Sequence, residues 1–295
     1  MAASSVPRPV AISRILAATD FSPCADHALS CALALTRQWN AKIFILHVLG
    51  TASDSKLSEI ALDIETDRRQ AEKNFRTLAN SGVLKSVDYS ILIRRGHLCD
   101  VLPGLVGMYQ IDLVVIGTHG HTGLKKMLLG SVAEQVCRVA PCPAMTIGLH
   151  AGLPGSGLPF TRILYATDFL SGSLRAAPLA FSLAEKAQGA VTLLNVIEEG
   201  GHRPSAAAES AAVGIHEKLR KLLPTHSAFH VSLHILVPFG PPAEIILRVA
   251  EEERSDLIIM GMRPVREAAL ATHLPKAVAP YVISHAHCPV LTVHG

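Results

Sequence analysis

Arg14-Ile-Leu-Ala-Ala-Thr-Asp-Phe-Ser22 returns as Arg162-Ile-Leu-Tyr-Ala-Thr-Asp-Phe-Leu170, with seven identities in nine at an offset of 148. A repeat of that period is a whole domain and not a solenoid unit. Downstream, Ile43-Phe-Ile-Leu-His-Val48 matches Val191-Thr-Leu-Leu-Asn-Val196, and Ile111-Asp-Leu-Val-Val-Ile-Gly117 matches Ser255-Asp-Leu-Ile-Ile-Met-Gly261. Pro141-Cys-Pro-Ala-Met-Thr-Ile147 matches His287-Cys-Pro-Val-Leu-Thr-Val293, so four apolar runs recur in one order. Between the copies lies Gly148-Leu-His-Ala-Gly-Leu-Pro-Gly-Ser-Gly-Leu-Pro159, whose glycines and prolines suit a linker. The boundary is expected near residue 155, giving domains 1–154 and 155–295.

Each apolar run is short and continuous, the pattern of strands buried on both faces of a parallel sheet. Strands are expected at 13–19, 42–48, 87–94, 112–117 and 143–148, and again at 161–167, 190–196, 229–236, 256–261 and 289–294. Helical spacing separates them: Ala25 to Trp39 is rich in Ala and Leu, and Leu57, Ile60, Ile64, Phe75 and Leu78 keep one face. The fold class that follows is α/β, two tandem doubly wound, Rossmann-like domains with a five-stranded parallel sheet each. Right-handed crossovers place the loops after the first and fourth strands on one carboxyl edge, where such sheets take ligands.

At 295 residues, the chain is long enough for two cores. Hydrophobic residues make up 49% and charged residues 17%, which excludes a disordered chain or a charge-rich coiled coil. The longest stretch without Asp, Glu, Lys or Arg, Val139 to Thr161, is broken by Pro141, Pro143, Pro154 and Pro159, so no membrane helix is expected. Met1 to Arg14 lacks the apolar core of a secretory signal, and a cytoplasmic location is expected. Six cysteines without a CxxC pair suit reduced thiols. A net charge of +3, with basic residues scattered among acids, gives no nucleic-acid surface.

After the fourth strand comes Gly117-Thr-His-Gly120, then nine residues, then Gly130-Ser131-Val132. This chemistry suits phosphate: Gly117 and Gly120 are expected to let backbone approach a ligand, with positive φ. Gly130-Ser131 is expected to open a helix over 131–139 whose amides and dipole attract an anion, with the Ser131 hydroxyl adding a donor. The alternative is that these glycines only serve turns.

That spacing, with Ala18-Thr19-Asp20 and Leu46-His47-Val48, resembles the universal stress protein family, whose ATP-binding motif it matches; the likeness covers essentially the whole chain, twice. The resemblance implies an adenine nucleotide alpha hydrolase-like fold binding ATP, with Mg2+ alongside. Asp20 and Val48 would then hold the adenosine end, Gly117, Thr118, His119 and Gly120 would line the ribose and phosphates, and Gly130, Ser131 and Val132 would cradle the phosphate tail. Read alone, Asp20 is equally a cap for the helix starting near Ser22, and His119 and His121 are solvated loop residues.

In the second copy Pro264 stands against Gly120, Lys276 against Gly130 and Ala277 against Ser131, with two extra residues in the loop. The cradle is lost there, and Asp168 is expected to act as a cap. His226, His230 and His234 lack metal-site company, so no metal ligand is assigned. No GxSxG, Walker A loop or HExxH occurs, and no catalytic residue is assigned. The loop offers hydrolysis only amides, Ser131 and the lysines Lys125 and Lys126. The leading expectation is therefore a nucleotide-binding regulatory or protective factor in stress response. The alternatives are a slow ATP hydrolase or nucleotidyl transferase, and a nucleotide-free protein-interaction module. The last strands, Pro143–Gly148 and Pro289–His294, are expected to pair the copies as an intrachain pseudo-dimer, or to pair two chains as a homodimer.

Overall fold

The computed structural model describes residues 11–50, 57–119, 130–148, 151, 160–198, 205–224, 231–262 and 277–295, with side chains omitted over 57–64. The chain divides into two compact units between Leu149 and His150. The first runs β1 (Arg14–Ala18), α1 (Pro23–Trp39), β2 (Lys42–Leu49), α2 (Leu57–Asn80), β3 (Asp88–Arg95), α3 (Leu98–Tyr109), β4 (Leu113–Gly117), α4 (Ser131–Val139) and β5 (Ala144–Ile147). The second repeats the scheme with β6 (Arg162–Ala166), α5 (Ser171–Ala187), β7 (Ala190–Leu194), α6 (Ala206–Arg220), β8 (Ser232–Leu236), α7 (Pro242–Glu252), β9 (Leu257–Met262), α8 (Val278–His285) and β10 (Val290–His294).

Within the first unit the strand order is β3-β2-β1-β4-β5, every pairing parallel. The second unit has the corresponding order β8-β7-β6-β9-β10, also parallel. The central strands β1, β4, β6 and β9, expected from unbroken apolar runs, are buried: Ile15, Leu16, Leu113, Val114, Leu164 and Ile258 are among the side chains with no solvent access. Helices cover both faces, so there is no polar face and no alternation along these strands. The direction of winding reverses between β1 and β4, and between β6 and β9, which opens a crevice at each carboxyl edge.

Two repeated devices lock this arrangement. At the amino edge the Asp112 carboxylate accepts the amides of Ser13 at 2.8 Å and Arg14 at 2.9 Å. Asp256 does the same for Thr161 and Arg162, both at 2.9 Å. These are the aspartates of the matched Ile111-Asp-Leu and Ser255-Asp-Leu segments, and they satisfy amides at the start of β1 and β6. Beside them stand the cysteines of the repeated Cys-Pro pair. Burial first, and the neighbouring Asp112 or Asp256 second, push the thiols of Cys142 and Cys288 up to about 12.

At the carboxyl edge, the last residue of β4 and its counterpart in β9 are both glycines because a helix leaves no room for a side chain. A Cβ on Gly117 would lie 2.9 Å from the Cys24 carbonyl oxygen, in the first turn of α1, and one on Gly261 would collide with the amide of Ser173 in α5. Gly117 does not have positive φ, contrary to the expectation for this loop; the constraint is strand-to-helix packing. Gly261→Ala is expected to destabilise the protein by about 1–3 kcal/mol. Gly214→Ala, in the middle of α6 with nothing near its Cβ, is expected to stabilise by about 0.5–1 kcal/mol. Urea unfolding reads both, and equal effects would contradict this packing.

Burial also pushes the Cys31 thiol up, to about 12 from an ordinary value near 9.0. A thiol whose folded value is raised stabilises fully below its unfolded value, and that contribution drains away as pH climbs toward the folded one. Stability is therefore expected to fall between about pH 9 and pH 11, and Cys31→Ala to flatten part of that fall, in urea midpoints measured across the range.

Candidate functional site

The crevice of the first unit begins where β1 ends. Asp20 is half-buried, and its Oδ1 accepts the amide of Ser22 at 3.0 Å. The cap of α1 is Ser22, whose Oγ accepts the amide of Ala25 at 3.3 Å, and not Asp20. Asp20 instead closes a two-residue turn that carries the chain across the sheet edge, with Phe21 in the left-handed region at φ 62°. The Phe21 ring packs 4.8 Å from His47 and 5.0 Å from Phe75, centre to centre. This aromatic group forms one wall beside Asp20.

Val48 stands half-buried at the end of β2, paired in register with Arg94 of β3. Its neighbour His47 places Nδ1 2.8 Å from the Thr19 carbonyl oxygen. A carbonyl only accepts, so Nδ1 carries the proton. In the second unit Asn195 donates Nδ2 to the Thr167 carbonyl at 2.7 Å, the same tie made by a different side chain. Sequence reading matched His47 with Asn195 only as strand residues; the signal available was that both offer a short-reach N–H donor.

The end of β4 supplies Thr118 and His119. Thr118 is buried, its amide donates to the Ile147 carbonyl at 3.0 Å, and its hydroxyl lies 2.9 Å from His119 Nδ1. Its carbonyl accepts the Gly130 amide at 3.0 Å. A Cβ on Gly130 would sit 2.7 Å from that same carbonyl oxygen, so only glycine brings the start of α4 this close to β4. Gly130 is the cap of α4, with φ −60° and ψ 138°, and provides no side-chain hydrogen bond to the first turn. The leading amides of Ser131, Val132 and Ala133 thus carry the positive end of the helix dipole toward the crevice. Ser131 and Val132 are exposed, Val132 at 48%. Glu134, the acid of the first turn, is drawn to Arg138 at 2.8 Å.

The structure thus brings Asp20, Val48, Gly117, Thr118, His119, Gly130, Ser131 and Val132 to the carboxyl side of β1, β2 and β4. Gly120, His121, Lys125 and Lys126 lie outside the described residues. The donors of this edge are amides and hydroxyls, chemistry suited to an anion. Among the described residues, no group of three His, Cys, Asp or Glu side chains could hold a metal ion. A cation here would have to arrive with phosphate oxygens.

The second unit differs in its electrostatics. Asp168 Oδ1 accepts the amide of Leu170 at 3.0 Å and the hydroxyl of Ser173 at 2.7 Å. Leu170 is the cap of α5, so Asp168 braces the first turn from outside instead of capping it. Ser173 also accepts the Thr167 hydroxyl at 2.9 Å, and its carbonyl accepts the Tyr165 hydroxyl at 2.7 Å. The repeat puts Ala25 at the position of Ser173, so the first unit has no hydroxyl there to engage Asp20. Pro264 and Lys276 lie outside the described residues; Ala277 is the cap of α8 and forms no side-chain bond.

Among the described residues, no helix is long and apolar enough to cross a membrane. The universal stress protein family model matches residues 11–148 and again 159–294. Universal stress protein A homolog 1 of Coxiella burnetii is 30% identical over 138 residues, 45% of this chain and 94% of that protein. Universal stress protein YxiE of Bacillus subtilis is 28% identical over 145 residues, 46% of this chain and 98% of its own length. A crystal structure of a universal stress protein from Archaeoglobus fulgidus covers 97% of this chain and 99% of its own at a TM-score of 0.72 and 20% identity, a likeness of fold. With both copies matched in tandem, the chain belongs to the universal stress protein family.

Proposed function

We propose that the first copy binds an adenine nucleotide, ATP with its Mg2+, and that the protein acts through this bound state as a regulatory or protective factor in stress response. The observation that carries the reading is the Gly130 amide on the Thr118 carbonyl, which fixes a helix start with no side-chain cap at the β1–β4 reversal of the sheet. A phosphate chain there meets amides at no cost of rearrangement. Asp20, at the far side of β1, is placed for the hydroxyls or amine of a nucleoside, and Val48 for its base. The second copy is proposed to bind no nucleotide. Asp168 is already engaged with Ser173, and Ala277 has no hydroxyl. At about 1.5–3 kcal/mol for each charge-assisted hydrogen bond, losing two weakens binding by roughly two to four orders of magnitude. Binding is favoured over turnover because none of the described residues at the site pairs a general base with a cationic group aimed at a terminal phosphate.

Substitution of Gly130 confounds the test, since any Cβ meets the Thr118 carbonyl. Ser131→Pro is cleaner. It removes the hydroxyl and one amide, Pro is favoured at the first helical position, and Gly130 already has the extended backbone that a following Pro requires. Calorimetric ATP affinity is expected to fall at least tenfold in Ser131→Pro with the unfolding midpoint unchanged. Unchanged affinity would refute the phosphate assignment.

A further inference from the structure

In each copy the second helix lies against the outer edge of the sheet. In the first, α2 buries Ala71 and Phe75. In the second, α6 buries only Leu219 among its residues, and Val213 is 69% exposed. Matching Val87-Asp-Tyr-Ser-Ile-Leu with Val231-Ser-Leu-His-Ile-Leu236 sets Leu219 against Phe75, Leu233 against Tyr89 and Ile235 against Ile91. In the first copy Tyr89 and Ile91 are exposed, at 38% and 36%, whereas Leu233 and Ile235 border an open cleft of about 500 Å³ beside α6. Among the described residues it is lined by Leu223, Leu233 and Ile235 together with His216 and Arg220, one helical turn apart on α6. The three apolar side chains are half-buried, and Arg220 is exposed. The third basic side chain of this turn of α6, Lys218, is turned elsewhere, 5.9 Å over the Phe169 ring.

We propose that this cleft between α6 and β8 binds a small amphiphilic carboxylate, its chain against Leu223, Leu233 and Ile235 and its headgroup on Arg220, with His216 beside it. The volume falls in the range of about 300–1,000 Å³ that small-molecule clefts occupy. A guanidinium at the rim of an apolar floor matches a molecule with one anionic end and one hydrocarbon end, because a fixed fork of donors meets a carboxylate through two bonds. Water in the cleft gains little from the leucines, so its release favours a hydrocarbon chain. The site is independent of the nucleotide crevice and shares no residue with it.

Decanoate, titrated into the full chain below its micellar concentration, tests this by calorimetry. One equivalent is expected to bind. Arg220→Gln, at an exposed position that does not threaten the fold, is expected to weaken it at least tenfold, and Ile235→Asp to abolish it. Ser131→Pro is expected to leave it unchanged, which separates this site from the nucleotide reading. No binding of decanoate, equal affinity in Arg220→Gln, or equal affinity for the uncharged decanol would overturn the proposal.

Discussion

One constraint common to both copies is the absence of a side chain where the fourth strand ends against the first helix. Gly117 takes the carbonyl of Cys24, and Gly261 takes the amide of Ser173. This contact fixes how deeply the first turn of α1 or α5 sits over the sheet, and so where Asp20 or Asp168 emerges beside the fourth strand. The residues that follow inherit that geometry. In the first copy, Thr118 holds Gly130 by one backbone hydrogen bond, and the helix start is delivered to the crevice. Fixed backbone donors beside a sheet reversal are a general way to receive an anion without reorganisation.

From this shared frame the copies diverge by small substitutions with large electrostatic effect. Ser173, where the first copy has Ala25, gives the Asp168 carboxylate a hydroxyl partner on α5. His47 and Asn195 preserve one tie to the end of the first strand by different means, which keeps the edge rigid in both copies. Tyr89 against Leu233 changes what the outer strand presents beside the second helix. The first copy brings backbone amides and hydroxyls to its β1–β4 crevice, and the second has the same scaffold with a cleft beside α6.

Much of this was legible in the sequence. Continuous apolar runs identify buried parallel strands, and the matched runs fix their order along the chain; β1 at Arg14–Ala18 lies inside the expected 13–19, and α4 at Ser131–Val139 is the expected helix. Of the glycines expected to serve phosphate, Gly117 and Gly130 stand where Cys24 and Thr118 occupy the space of a side chain. Spacing along a chain cannot reveal which backbone atom from a distant segment fills a position. The same limit hid the Asp112 and Asp256 clamps, which act across 98 and 94 residues, and left Asp20 equally readable as a cap, a place that Ser22 takes. The cleft beside α6 was likewise not legible, because it depends on the packing of α6 against β8.

The central claim is that two copies of one scaffold contain one nucleotide site. Native mass spectrometry of the intact chain titrated with ATP and Mg2+ tests it most directly, because it counts ligands on each molecule. A single adduct that saturates at one nucleotide per chain is the result this account predicts. Saturation at two, or no adduct at concentrations that load the site of other nucleotide-binding proteins, would contradict it.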